Sequence, residues 1–379
     1  MNIKVLILGG GLQALSTAYS LWKMNYYVCC IATNDEEVRF SRFVNTFYPL
    51  QSSNILEQIL FVIHKEQISV VIPMSDQMAE LVSKYKTDIE DATGHTCPAP
   101  DYNVFLLAAD KSKLMSFCEQ HHFAHPRTRP LTRDNINEVA EYVGFPSLIK
   151  PNRSVGARGI TLVHSIEELR HLYPSIVNRY GNASLQEFVD NKGLPYYNVM
   201  LYRNSDGEIL GSTIIEILRF FPINGGSSSL CRTIDDSRLL MECVNVLNQL
   251  NWVGMADFDV LKNKDGEYKI IEINPRVPAS LRAANIAGVN FPEIIINDTL
   301  GQLQKKYTYK TGMYLRYFGL DIMWFINSTE RFKAKPNWFF CIGRKTYFQD
   351  IYAQDPYTWF AWFISGFKRF LEKRKHLHN

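Results

Sequence analysis

The sequence has no C-x-x-C pair, and its seven cysteines are odd in number and scattered over 379 residues. That argues against a zinc ribbon and against a disulfide framework, and it points to a reducing cytoplasm. No uninterrupted apolar stretch approaches the roughly 18–20 residues of a membrane span. Charge excess is also missing. Against 41 basic residues stand 38 acidic ones, a net +3, so no polyanion-binding surface covers the protein and nucleic acid is not an expected partner. The start, Met1 to Leu8, has no basic region before its short apolar run and passes straight into glycines. It reads as a first strand and not as a signal peptide. No Ser/His/Asp or Cys/His set presents itself as a catalytic nucleophile. What is left is ordinary globular composition, 46% apolar and 21% charged, in a chain long enough for two or three domains.

Apolar periodicity sets the predicted architecture. Ile3 to Leu8 is near-continuously apolar, as a strand buried on both faces must be. Gly9-Gly10-Gly11 follows, then a helical pattern through Leu12, Leu15, Ala18 and Leu21. Tyr27–Ile31 and Ile68–Pro73 read as strands with a helix, Ile55–His64, between them. This alternation predicts a parallel, doubly wound sheet that ends near Pro98 to Asp101. Beyond it the pattern predicts a helix from Asp110-Lys111 towards His122, a strand at Thr128–Pro130 and a helix over Ile136–Val143. A strand at Phe145–Pro151, a loop over 152–159, a return strand Ile160–Val163, a helix over 166–172 and a strand Ala183–Val189 come next. Strands dominate afterwards, at Tyr197–Leu201, Ile209–Ile217 and Trp252–Leu261, with a helix at Glu242–Leu250. Asp265-Gly266 marks a hairpin turn into a partner strand, Tyr268–Ile273. The stretch beyond about residue 310 is rich in Trp, Phe and Tyr.

Three constellations carry possible chemistry. Gly9-x-Gly11-x-x-Ala14 loosely fits a dinucleotide turn, but the second strand ends without an acid to hold a ribose, Asp35 coming two residues late. A tight turn that binds nothing, or that holds another small anionic substrate, is the preferred reading. Lys150 ends an apolar strand and is followed by a loop with Ser154, Gly156 and Gly159, flanked by Arg153 and Arg158. A triphosphate needs such cationic charge and converging backbone N–H groups, although a solvated surface hairpin would look the same. The third constellation is the most informative. Asp257 and Asp259 share one face of a strand, and Glu272 and Asn274 share a face of its hairpin partner. The turn brings these oxygen ligands together, as a hard cation such as magnesium requires. Arg276 follows, able to neutralise a phosphoryl oxygen.

The hairpin Gly254-Met255-Ala256-Asp257-Phe258-Asp259-Val260, continuing to Glu272-Ile273-Asn274-Pro275-Arg276, resembles the magnesium signature of the ATP-grasp superfamily. That superfamily includes the carbamoyl phosphate synthetase large subunit and D-alanine–D-alanine ligase. The resemblance runs from about residue 1 to 300. It implies an α/β protein with a Rossmann-like pre-ATP-grasp domain over 1–100. A two-lobed α+β ATP-grasp domain would follow, one lobe over 101–182 with the glycine-rich loop and one over 183–310 with the metal site. An aromatic-rich extension would cover 311–379. Lys111 and Lys150 match the two ATP-contacting lysines, and 153–159 matches the loop covering the phosphates. Gln186-Glu187-Phe188-Val189 matches the hinge that reads adenine, and Asp259, Glu272 and Asn274 match the metal ligands. In length and aromatic tail the chain is most similar to bacterial ATP-grasp proteins associated with cell-surface polysaccharide synthesis. The chain departs from the pattern twice. Tyr196-Tyr197-Asn198-Val199 stands where relatives often place a ribose-binding glutamate, leaving Asp190 or Glu187 for that role. Pro278-Ala279-Ser280 replaces a commoner glycine-containing turn.

The resemblance implies an ATP- and magnesium-dependent ligase. A carboxylate takes the γ-phosphoryl group, and an amine then displaces phosphate from the acyl phosphate. Such catalysis is positioning and charge neutralisation. Arg276 is expected at the transferring phosphate, and Arg219, Arg232 and Arg282 are candidates to grip a carboxylate. ATP and small carboxylate and amine substrates are then the partners, with amino-acid metabolism or surface polysaccharide synthesis as the setting. A Rossmann-type NAD(P) oxidoreductase and an inactive ATP-binding regulator are the alternatives. His121, His122 and His125 read as a surface cluster. Trp359 to Lys375 forms an amphipathic pattern, with Phe360, Phe363, Ile364, Phe367 and Leu371 in one stripe and Lys368, Arg369, Lys373 and Arg374 mainly elsewhere. Such a helix docks on its own protein or lies peripherally on a membrane.

Overall fold

The computed structural model describes residues 3–51, 53–153, 158–191, 193–223, 225–339, 343 and 345–360. Thr46–Pro49, Tyr27–Ala32, Lys4–Leu8 and Val70–Pro73 form a four-stranded parallel sheet in that order. Its central strand explains the unbroken apolar run. Val5 and Ile7 pack with Ala14, Leu15 and Ala18 of the helix Gly11–Lys23. Leu6 and Leu8 pack on the other face with Ile59 and Val62 of the helix Ile55–Glu66 and Met78 and Val82 of the helix Asp76–Lys84. Both faces are covered, so alternation has no place in the strand.

A second four-stranded sheet is antiparallel, ordered Thr128–Pro130, Ala183–Glu187, Ser147–Pro151, Thr161–Val163. The helices Ile136–Val143 and Ile166–Tyr180 back it. The third sheet has seven strands, ordered Tyr268–Asn274, Gly254–Lys262, Tyr196–Arg203, Ile209–Phe221, Ser227–Ile234, Tyr314–Arg316, Thr346–Phe348. Leu239, Cys243 and Val246 of the helix Ser237–Gln249 and Leu114 and Cys118 of the helix Lys111–Gln120 pack on one face. The helices Leu281–Ala287 and Phe291–Thr299 cover the other and share a core with the parallel sheet's first helix. Ser20 donates to Asn290 Oδ1 at 2.6 Å across that contact. The parallel unit is therefore packed against the large sheet and not tethered beside it.

Several expected boundaries move. The strand predicted to reach Val189 ends at Glu187, and the helix predicted over 166–172 continues to Tyr180 through Pro174. Ile209 leads a strand that runs to Phe221. Ser227–Ile234 opens with three serines and gave no apolar pattern, and it forms because both neighbouring strands pair with it. Residues beyond 310 join the large sheet through Tyr314–Arg316 and Thr346–Phe348.

Arg219, a candidate substrate-gripping residue by sequence, is instead a core residue. It is 3% exposed, and its Nη1 lies 3.2 Å from both carboxylate oxygens of Asp321. Arg316 Nε donates to Asp321 Oδ2 at 2.6 Å, and both Nη atoms of Arg316 are buried without a partner. Trp324 lies 4.5 Å over the Arg219 guanidinium and Trp338 lies 4.2 Å over that of Arg316. One fully buried carboxylate thus balances two buried cations. Removing one partner of such a set costs about 3–5 kcal/mol, because the remaining charge stays desolvated. Asp321→Asn is expected to lower unfolding stability by that amount in urea titration. A variant within about 0.5 kcal/mol of the parent, the range of an ordinary surface change, would mean the cluster is not the charge-balancing unit described.

Candidate active site

Gly254–Lys262 and Tyr268–Asn274 are antiparallel neighbours, and their register sets Asp257 opposite Asn274 and Asp259 opposite Glu272. Asn274 Nδ2 donates to Asp259 Oδ2 at 3.3 Å. On the adjoining strand, Asn198 stands opposite Asp259 and its Nδ2 donates to Oδ1 of the same carboxylate. The Tyr196 hydroxyl also hydrogen bonds to Asp259. Sequence reading considered Tyr196 and Asn198 only as the place of a missing ribose contact. The signal available was an amide inside an otherwise apolar strand.

Two lysines face these acids. Lys111 opens the helix Lys111–Gln120, whose start Asp110 caps by accepting from Ser112 N and Lys113 N at 2.9 and 3.1 Å. Lys111 Nζ lies 2.9 Å from Glu272 Oε2. Its backbone N–H donates to Asn152 O at 3.0 Å, tying this helix start to the end of the strand that carries Lys150. Lys150 is 6% exposed. Burial brings its pKa down to about 8, Lys111 pushes the same way, and Glu272 and Asp259 oppose them.

The three acids are shifted in different directions. Burial pushes the Asp259 carboxyl well above the usual carboxylate range, and Glu272 beside it adds to the rise. Burial also works against the Glu272 charge, but Lys111, the hydrogen bond with Asp259 and Lys150 outweigh it and hold Glu272 at about 2. Asp257 is raised to about 8 by burial against the pull of Arg276, and its Oδ1 has no partner. Among the described residues, no group of three or more His, Cys, Asp or Glu side chains is arranged to hold a metal by itself. Magnesium does not need one. It takes one or two carboxylates and completes its octahedron with waters and phosphate oxygens. Asp259, Glu272 and Asn274 fit that requirement.

The remaining predicted residues separate into those brought to this site and those committed elsewhere. Gly159 has φ +77°, and a Cβ there would lie 2.7 Å from Tyr180 Cδ2 and 2.8 Å from Pro151 Cγ, so only glycine fits. Ser154 and Gly156 lie outside the described residues. Arg153 reaches Glu80 at 2.7 Å. Gln186 is buried and its Nε2 donates to Thr128 Oγ1 at 3.0 Å, so this side chain braces the sheet. Glu187 N and Phe188 N donate to Arg127 O and Pro146 O at 2.8 and 3.3 Å, and Val189 is 8% exposed. The two acids considered for a ribose are both in ion pairs, Glu187 with Arg127 at 3.3 Å and Asp190 with Lys264. Arg276 Nε lies 2.7 Å from Asp76 Oδ1 in the parallel-sheet unit. Arg232 pairs with Glu216 on the next strand. Arg282 donates to Ile351 O at 2.8 Å and stacks 3.7 Å over Tyr352. His121 packs 4.4 Å from Phe117, and His125 Nδ1 lies 2.8 Å from Phe123 O.

The glycine turn is filled from within. Gly11 N donates to Glu36 Oε2 at 2.8 Å, and a Cβ on Gly10 would lie 2.3 Å from the Glu36 carboxyl carbon. A carboxylate at the helix N-terminus occupies the place where a dinucleotide's pyrophosphate would bind.

Residues 211–318 match the family model described as ATP-grasp in the biosynthetic pathway with Ter operon. The chain is 22% identical over 325 residues to a D-aspartate ligase of Enterococcus faecium (strain Aus0004), covering 77% of this chain and 76% of the relative. It is 23% identical over 344 residues to the carbamoyl phosphate synthase large chain of Clostridium perfringens (strain 13 / Type A), covering 83% of this chain but only 30% of that protein. Among solved structures it resembles biotin carboxylase of Campylobacter jejuni in complex with β,γ-ATP, with TM-score 0.67, 16% identity, and coverage of 82% of this chain and 74% of that one. The chain is an ATP-grasp superfamily protein, distantly similar in sequence to D-aspartate ligase and carbamoyl phosphate synthase and alike in fold to biotin carboxylase. Its fold is the expected one, a parallel N-terminal sheet followed by antiparallel ATP-grasp lobes. Among the described residues no helix is long and apolar enough to cross a membrane.

Proposed function

We propose that the protein is an ATP- and magnesium-dependent ligase that joins a carboxylate to an amine through an acyl phosphate. The observation that carries this reading is the charge set, with buried Lys150 and part-buried Lys111 on one side and part-buried Asp259 and Glu272 on the other. Lys111 and Lys150 neutralise the ATP phosphates in a water-poor site, where charge-assisted contacts count most. By its sequence resemblance the loop over 153–159, of which residues 154–157 lie outside the described ones, is assigned to cover them, and the hinge over 186–189 to take the adenine. Asp259, Glu272 and Asn274 hold magnesium, which on binding supplies neutralisation of phosphate oxygens. Asn198 and Tyr196 orient the Asp259 carboxylate through their hydrogen bonds. Arg276, held by Asp76, sits beside Asp257 and faces the transferring group.

The substrate carboxylate attacks the γ-phosphorus, the bond to the β,γ-bridging oxygen breaks, and ADP leaves. The amine then attacks the acyl carbon, phosphate leaves, and the amine gives up a proton. An enzyme working this way needs no protein nucleophile, only positioning and charge neutralisation. A relative named for D-aspartate makes an amino acid a sensible first class of substrate to try. The setting in surface polysaccharide synthesis or amino-acid metabolism belongs to the same proposal, as does a cytoplasmic location. The Glu36 plug at the glycine turn speaks against the oxidoreductase alternative.

The test is an ADP-release screen with magnesium-ATP against paired carboxylates and amines, amino acids first. ADP formation that needs both partners is the expected result. NAD(P) binding without ATP binding would overturn the reading in favour of a dehydrogenase. ATP binding with no ADP release from any pair would favour the inactive regulator.

A further inference from the structure

The segment after the helix Phe318–Asn327 folds back on the helix's end and leaves large apolar side chains in solvent. Phe325 is the centre of the patch. Its ring centroid lies 5.6 Å from that of Phe332, 4.7 Å from Trp338 and 5.4 Å from Phe339. Ile326, Phe332 and Phe339 are 60%, 66% and 53% exposed. The patch rests on a fixed base. Trp338 Nε1 donates to Asp321 O at 3.0 Å, and Arg331 Nη1 donates to Ile326 O at 2.9 Å. Trp338 also stacks on the buried Arg316. The exposed rings are therefore presented by a packed element and not by a loose one.

Charge within the fold-back itself has one dominant sign. Arg331, Lys333 and Lys335 lie within the same fold-back, Lys333 and Lys335 exposed, and Glu330 is the single acid among residues 326–339. A packed apolar surface with basic side chains in the same segment is the combination that an anionic lipid surface selects: aromatic rings enter the headgroup boundary, and lysines and arginines meet the lipid phosphates. We propose that residues 325–339 form a docking patch for an anionic membrane surface. This patch shares no residue with the active-site acids and lysines, and residues 361–379 of the tail expected to be amphipathic lie outside the described ones. It makes no demand on the catalytic reading.

Co-sedimentation of the full chain with two kinds of vesicle tests it, one of phosphatidylcholine alone and one of phosphatidylcholine with phosphatidylglycerol. Binding to the second, weakened by salt, is expected. Lys333→Gln with Lys335→Gln should reduce the vesicle-bound to free ratio by roughly 30-fold, from about 1 kcal/mol per basic residue near an anionic surface. Phe332→Ser with Phe339→Ser should abolish it. Both variants change exposed side chains, and thermal unfolding matching the parent checks that they fold. No binding to either vesicle, or binding that both variants retain, would overturn the proposal. So would self-association of the parent that Phe332→Ser with Phe339→Ser relieves without any vesicle binding, which would make the patch a protein–protein surface.

Discussion

Glu272→Gln is expected to leave a folded protein that turns over ATP on the order of 10²–10³-fold more slowly at limiting magnesium. Removing one preorganised electrostatic contributor from an active site costs about that much, and here the lost group is a carboxylate ligand in a site that must neutralise phosphate charge. The fold should survive. Glu272 faces Asp259 in register, and its presence raises the Asp259 pKa. Asp259 remains to face Lys150 once Glu272 is neutral. Near-parent ADP formation at limiting magnesium would remove Glu272 from the metal site.

Lys150→Ala should act on nucleotide binding itself. Lys150 is buried at the end of a strand, with Lys111, Glu272 and Asp259 close enough to shift its pKa. A charge-assisted contact to phosphate in such a place contributes about 1.5–3 kcal/mol, so the Kd for ATP should rise roughly ten- to a hundredfold. Calorimetric titration of ATP into the variant measures it. The variant also removes a cation from beside two acids, so thermal unfolding of the variant without nucleotide is the control. Affinity equal to the parent's would mean that Lys150 serves the sheet and not the phosphates.

The acids of the candidate site were legible because they are local. A two-residue period, an Asp-Gly turn and a second two-residue period bring four polar side chains together within 18 positions, and the observed register does so. The parallel sheet was legible for a related reason, since burial on both faces leaves an apolar run that periodicity detects. What pattern could not supply was the distant partner. Arg276 is positioned by Asp76, 200 residues away, and Asp259 by Asn198, 61 residues away. Arg219 read as a candidate to grip a substrate carboxylate, whereas a buried guanidinium needs a buried acid, and Asp321 lies 102 residues on. The strands Tyr314–Arg316 and Thr346–Phe348 are three residues each, too short for any period, and exist because the edge of the large sheet pairs with them.

The order of bond making is the centre of the account. It is tested with a productive substrate pair from the ADP-release screen, the carboxylate carrying oxygen-18. An acyl phosphate transfers one carboxylate oxygen to phosphorus, so the inorganic phosphate released should contain one label, with ADP as the nucleotide product. Label-free phosphate accompanied by AMP and pyrophosphate, or a stable phosphorylated product with no amide, would contradict it.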